Sequence, residues 1–108
     1  DLHSFPTRRS SDLQLVHFPT SNGDVRTMYL GTRLLDSSSR VLIVDDFMRG
    51  GSTIAGMLLM AREFGASVAG IGVFISSTEP KKKAVDDYHS LLQLTVRNGV
   101  PLLSVSER

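Results

Sequence analysis

Val41-Leu42-Ile43-Val44-Asp45-Asp46-Phe47-Met48-Arg49-Gly50-Gly51-Ser52-Thr53 is the stretch whose reading decides the fold. Its first four residues are apolar and mostly β-branched, which suits a strand covered on both faces, as in a parallel sheet. Asp45 and Asp46 then fall at the carboxyl end of that strand, the edge where open α/β sheets hold their ligands. Gly50 and Gly51 allow a tight turn and a close backbone approach, and Ser52 and Thr53 supply hydroxyls where the next helix opens. A helix N-terminus offers unpaired N–H groups and a partial positive charge, which together suit a phosphate. Two carboxylates beside a phosphate would repel it unless something lies between. Ribose hydroxyls donating to the acids, or a Mg²⁺ carried on the ligand, would supply that layer. A nucleotide P-loop places a lysine directly before its Ser/Thr, and none stands here. The stretch reads as a cradle for a sugar phosphate.

These residues resemble the phosphoribosyl pyrophosphate (PRPP) loop of type I phosphoribosyltransferases: four apolar residues, two acids, three variable residues, then Thr-Gly-Gly-Thr. The resemblance implies that Asp45 and Asp46 hold the ribose 2′ and 3′ hydroxyls. It implies that the loop from Phe47 and Met48 through Arg49, Gly50, Gly51, Ser52 and Thr53 binds PRPP, with Arg49 to Thr53 cradling the 5′-phosphate. Gly50 replaces the usual first Thr and Ser52 the second Gly. Phe47 and Arg49 occupy positions where the enzymes commonly carry an aliphatic residue and Ala, Ser or Asp. Asp-Asp-Phe-Met followed by a basic residue, a small residue, Gly, a small residue and Thr is similar to the purine operon repressors of Gram-positive bacteria, a non-catalytic branch. Residues 24–33, 68–73 and 85–92 are similar to further segments of that branch. Thr32 stands where a lysine is expected for diphosphate binding, and Arg33 beside it is the candidate diphosphate contact.

The fold implied is α/β: an incomplete type I phosphoribosyltransferase-like, Rossmann-like, mostly parallel sheet with flanking helices over residues 14–108. The function implied is that of a PRPP-sensing effector-domain fragment of a transcriptional repressor of purine biosynthesis genes, with PRPP relieving DNA binding. No catalytic residue, protein-held metal or required cofactor is expected; PRPP is the effector, with Mg²⁺ as its companion ion. Operator DNA is expected to bind through a winged-helix domain absent from this chain, in a cytoplasmic homodimer. The alternative is a fragment of a catalytic purine phosphoribosyltransferase of nucleotide salvage. That reading needs a diphosphate loop, base-recognition residues and usually a hood subdomain, none of which is identifiable. A PRPP-synthase-like or purely structural homologue is a third reading.

Composition sets bounds around the motif. The 108 residues suffice for one small domain and are too few for a complete repressor or transferase. A hydrophobic content of 41% is ordinary for a globular chain, and no apolar run is long enough to span a membrane. With no cysteine, disulfides and thiolate metal sites are excluded, which fits a cytosolic setting. Residues 1–13 read as a translated sequencing adapter rather than native protein, so His3, Arg8 and Arg9 carry no function. Removing them leaves ten basic and nine acidic side chains, a balance without the electrostatic footprint of a nucleic-acid surface.

Along the chain, Gln14–Phe18 and Val25–Leu30 read as strands of a hairpin around Pro19–Gly23, whose Asn-Gly favours left-handed backbone. In the phosphoribosyltransferases the corresponding hairpin lies over the ligand. Asp36–Ser39 is a polar connector. Ile54, Met57, Leu58, Ala61 and Phe64 recur at helical spacing from Thr53, with Gly65 as the stop. Val68–Ile75 completes a βαβ unit. Thr78-Glu79-Pro80 reads as the start of a second helix running to about His89. Leu91–Val96 and Leu102–Val105 read as strands around Asn98-Gly99, with Pro101 marking an edge. Lys81-Lys82-Lys83 reads as a solvated helix face rather than a phosphate patch, and Asp86 and Asp87 as surface carboxylates. His17 and His89 are expected in structural or surface roles, and Met57 and Met60 in packing.

Overall fold

The structure, a computed structural model, describes residues 12–106. Its order is β1 (Leu13–Pro19), β2 (Val25–Gly31), β3 (Arg40–Met48), α1 (Ser52–Glu63), β4 (Ser67–Ser77), β5 (His89–Arg97) and β6 (Val100–Val105). β3, β4 and β5 pair in parallel and β6 returns antiparallel, giving a four-stranded sheet in the order β3-β4-β5-β6. β1 and β2 form a separate antiparallel hairpin. The expected mostly parallel α/β sheet is therefore present, with its βαβ unit at β3-α1-β4.

Local chemistry accounts for the turns. Gly23 at φ 88 accepts a left-handed conformation in the first hairpin, where Thr20 N–H donates to Asp24 O at 2.8 Å. Asn98 at φ 50 and Gly99 at φ 78 are both left-handed, the pairing that matches the twist of strands joined by a two-residue loop. Gly65 at φ 70 follows the last helical turn as the sequence predicts. Pro101 does lie on the edge strand β6. In the polar connector, Asp36 Oδ1 accepts from the Ser38 N–H and hydroxyl at 2.8 and 2.6 Å, which holds its carboxyl below the ordinary value.

The core lies between α1 and one face of the sheet: Ile43, Met48, Ile54, Ile71, Val73, Val85 and Tyr88 pack together. Two expectations fail here. β3 is covered on one face only, since Ile43 is buried while Leu42 and Val44 are 66% and 64% exposed. A run of four apolar residues cannot distinguish a doubly covered strand from a strand that alternates between core and open face. The second helix, expected from Thr78 to about His89, is not formed; bends and irregular chain fill residues 78–88 and β5 begins at His89. Only Val85 and Tyr88 of this segment are buried, so it lacks the repeated apolar stripe a helix needs, and these two side chains plug the core from an irregular crossover. Among the described residues the sheet thus has one flanking helix rather than several.

The hairpin docks on the other side of α1. Phe18, 4% exposed, lies so close to Gly56 that a Cβ there would sit 2.7 Å from the ring. Absence of a side chain at Gly56 is what lets β1 approach the helix. The adapter-like segment lies outside the described residues through residue 11; Leu13 opens β1, and Asp12 O accepts the Thr32 N–H. Replacing Phe18 by Ala should cost about 3–5 kcal/mol. Denaturant melts should register that loss, with β1 and β2 amides losing hydrogen-exchange protection before those of β3 and β4.

Candidate functional site

β3 carries Asp45 and Asp46 to its carboxyl end, and the chain turns through Arg49-Gly50-Gly51 into α1. Gly51 caps the helix at φ 90 and ψ 11, a left-handed conformation. A Cβ on it would also meet Val85 Cγ2 at 3.3 Å, a tight contact, so the backbone conformation disfavours a side chain at position 51 and the packing adds to that. Gly50 differs: a Cβ there meets nothing within 4 Å. A threonine Cβ at this position would therefore meet no obstacle.

The helix end is left open for an anion. No side chain caps it, no acid occupies its first turn, and the first helical hydrogen bond is Ala55 N–H to Gly51 O at 2.9 Å. The N–H groups of Ser52, Thr53 and Ile54 therefore have no acceptor within the helix. Because Gly51 takes the cap position, the hydroxyls of Ser52 and Thr53 are not consumed in capping. Ile54 is 0% exposed and anchors this first turn in the core.

A cleft of about 190 Å³ lies over the turn, lined by Asp45, Phe47, Met48, Arg49, Gly50, Gly51, Ser52, Thr53, Ile54 and Ser21. Ligand pockets commonly run to about 300–1,000 Å³, so this one matches a sugar phosphate better than a whole nucleotide. Eight of the nine predicted loop residues meet here. Asp46 does not: it follows Val44 on the exposed register of β3, and its Oδ1 accepts the Phe47 N–H at 2.7 Å. Arg33 lines a different depression with Asp12, Gly31, Thr32 and Leu34. Ser21, brought in by the hairpin turn, is a lining residue that sequence inspection misses; the turn signal was visible, but its approach to the loop depends on Phe18 packing against α1.

The site is supported from behind by the crossover. Lys83 Nζ donates to Arg49 O and to Ser77 O, both at 2.6 Å, and the Ala84 N–H donates to Gly50 O at 2.7 Å. Burial lowers the Lys83 ammonium below the ordinary lysine value, Glu79 opposes that shift and Arg49 adds to it. Lys81 and Lys82 are exposed, as expected of a solvated run, but Lys83 leaves that run to bind backbone. Elsewhere, His17 Nδ1 pairs with Thr27 Oγ1 at 2.9 Å across the hairpin, and Met60 is buried. Asp86 and Asp87 are exposed, and no group of three metal-ligating side chains occurs among the described residues.

Asp45 is raised above its ordinary 3.8, first by burial and further by Asp46, although the Asp46 N–H donating to its Oδ1 at 2.8 Å opposes the rise. The native state holds this proton more tightly than the unfolded chain does. Ionised Asp45 therefore opposes folding at neutral pH, and the penalty disappears as pH falls below both values. Asp45→Asn should melt at the same temperature as the parent or higher near pH 7, with the difference closing in acid. Gly51→Ala should cost about 1–2 kcal/mol from its left-handed backbone alone, whereas Gly50→Ala should stay within about 0.5 kcal/mol. Chemical denaturation of the two variants checks the contrast.

No protein-family model matches the chain. It is similar to a probable purine biosynthesis transcriptional regulator, PurR, of Streptococcus pneumoniae, 45% identical over 86 residues, 79% of this chain and 31% of the relative. The purine biosynthesis transcriptional repressor PurR of Bacillus subtilis is 41% identical over 88 residues, 82% of this chain and 31% of that protein. A Lactococcus lactis relative, 38% identical over 76% of this chain and covered over 30% of its own length, is named a transcriptional activator. The xanthine phosphoribosyltransferase of Geobacillus thermodenitrificans is 47% identical over 60 residues, 56% of this chain and 28% of the enzyme. The chain thus spans 31% of the length of the first two curated relatives. Among solved structures, the adenine phosphoribosyltransferase of Thermoanaerobacter pseudethanolicus superposes with a TM-score of 0.67 at 21% identity, over 82% of this chain and 52% of the enzyme. The fold is that of the phosphoribosyltransferases.

Proposed function

We propose that this chain is a PRPP-binding part of a purine biosynthesis regulator, a sensor rather than an enzyme. The observation that carries the reading is the uncapped, acid-free N-terminus of α1, set beside Asp45 in one small cleft. The 5′-phosphate accepts hydrogen bonds from the N–H groups and hydroxyls of the α1 start, and Asp45 accepts one from a ribose hydroxyl. Asp46 joins it as the second ribose ligand once a ligand draws its carboxylate from the Phe47 N–H. Arg49, at the mouth, and Arg33, on a separate depression, are the proposed diphosphate contacts. Mg²⁺ arrives on the ligand's diphosphate.

The regulation proposed is that PRPP, which accumulates when nucleotide supply lags, lowers affinity for operator DNA. Such a switch requires PRPP to bind the free form more tightly than the DNA-bound form. Operator binding belongs to a longer cytoplasmic homodimer carrying a winged-helix domain. Among the described residues no helix is long and apolar enough to cross a membrane. The similarity to a xanthine phosphoribosyltransferase supports a second reading, in which the same cradle positions PRPP for transfer to a purine base.

Calorimetric titration of Mg²⁺ and PRPP should show saturable binding that falls at least about tenfold when Asp45 and Asp46 are both replaced by Ala, the loss of roughly one charge-assisted hydrogen bond. Unchanged affinity would sink the ribose assignment. Nucleotide formed from a purine base and PRPP would establish the enzyme reading. Operator DNA titrated against the longer protein should bind more weakly with PRPP present; tighter binding would reverse the direction of control.

A further inference from the structure

Lys81 and Lys82 are solvated, whereas Lys83, the last member of the run, ends against the Arg49-Gly50-Gly51 turn. The trans peptide unit is planar, with its C=O and N–H pointing in opposite directions. Lys83 Nζ holds the carbonyl of Arg49, so the N–H of Gly50, in the same peptide, faces away from Lys83. The Ala84 N–H holds the carbonyl of Gly50 in the same way, which turns the N–H of Gly51 outward. Gly51 O is taken by Ala55, so the next amide, that of Ser52, points out of the helix end. Three successive carbonyls are thus drawn to the protein side. Among the described residues, none of the N–H groups of Gly50, Gly51 and Ser52 donates a hydrogen bond to the protein.

We propose that Lys83 is a positioning residue for the phosphate cradle, one whose ammonium orders the Arg49-Gly50-Gly51 backbone so that its N–H groups converge on the 5′-phosphate of a phosphoribosyl ligand. Lys83 never touches that ligand. Its second bond, to Ser77 O at the end of β4, fixes the ammonium to the sheet, so the loop is referenced to the strand beside β3 rather than floating between two glycines. Glycines at 50 and 51 leave the loop conformationally free, and an external clamp offsets that freedom. The same crossover supplies Val85 against Gly51, which keeps the loop from collapsing inward. This inference rests on the sugar-phosphate reading of the cleft for its ligand, while the backbone ordering stands on the geometry alone.

Lys83→Met preserves the length of the stem and removes all three donors; Lys83→Arg keeps donors and charge. Ribose 5-phosphate and Mg²⁺–PRPP titrated into the chain should each bind Lys83→Met about tenfold more weakly, the worth of one charge-assisted hydrogen bond, and Lys83→Arg within about threefold of the parent. The amide resonances of Gly50 and Gly51 should move in ligand-free Lys83→Met while the amides of β4 keep the parent's hydrogen-exchange protection, a combination that a general loss of stability would not produce. Where Lys83→Met fails to fold, Lys83→Leu, which likewise has no donor, serves the same comparison. Equal ligand affinity in parent and Lys83→Met overturns the proposal. A parent that binds neither ligand refutes the sugar-phosphate reading instead, and Gly50 and Gly51 resonances unmoved by the substitution would then still overturn the backbone role of Lys83.

Discussion

The turn from β3 into α1 is the constraint on which the rest of this structure depends. Gly51 must take a left-handed backbone there, and it does so in close packing against Val85. Given that turn, the helix start is uncapped, its amides face outward, and Ile54 drops into the core. A residue with a Cβ at position 51 would hold a strained backbone and press on Val85 of the crossover. The cleft and the core therefore share one hinge point.

That sharing has a consequence for stability. The cleft carries groups that do not help the unliganded fold: a carboxyl raised by burial, a helix end without a cap, and a backbone glycine in a restricted conformation. The open helix end favours a negative charge, whereas the carboxyl opposes one unless a hydrogen-bond donor lies between. The fold offsets them nearby, through the wholly buried Ile54 and through hydrogen bonds from the crossover to the loop carbonyls. The sheet's second face remains open at Leu42, Val44, Phe74 and Leu91, so the support is concentrated on the α1 side.

Much of this was legible in the residues. Apolar runs and turn residues placed every strand of the sheet and the hairpin, because Gly23, Gly65 and Asn98-Gly99 take left-handed backbone that few other residues accept. The helix from Ser52 was visible in the spacing of Ile54, Met57, Leu58 and Ala61. The helix expected over 78–89 was not there, since Pro80 and a single pair of apolar residues satisfy a start rule without supplying a face to bury. The cleft was legible as a contiguous motif, and the part of it that is not contiguous, Ser21 and the Lys83 support, was not.

The sequence by itself determined the strand–loop–helix cradle, since glycine, hydroxyl and carboxylate chemistry act within a few bonds of one another and need no distant partner. It determined, too, the parallel βαβ unit around that cradle. Only the tertiary structure decided which members of the motif share the cleft, separating Asp45 from Asp46 by strand alternation and Arg33 by distance along the fold. It also decided that Lys83, indistinguishable from its two neighbours in the chain, lies beneath the loop, because that position is set by Val85 and Tyr88 entering the core from a crossover with no regular period to read.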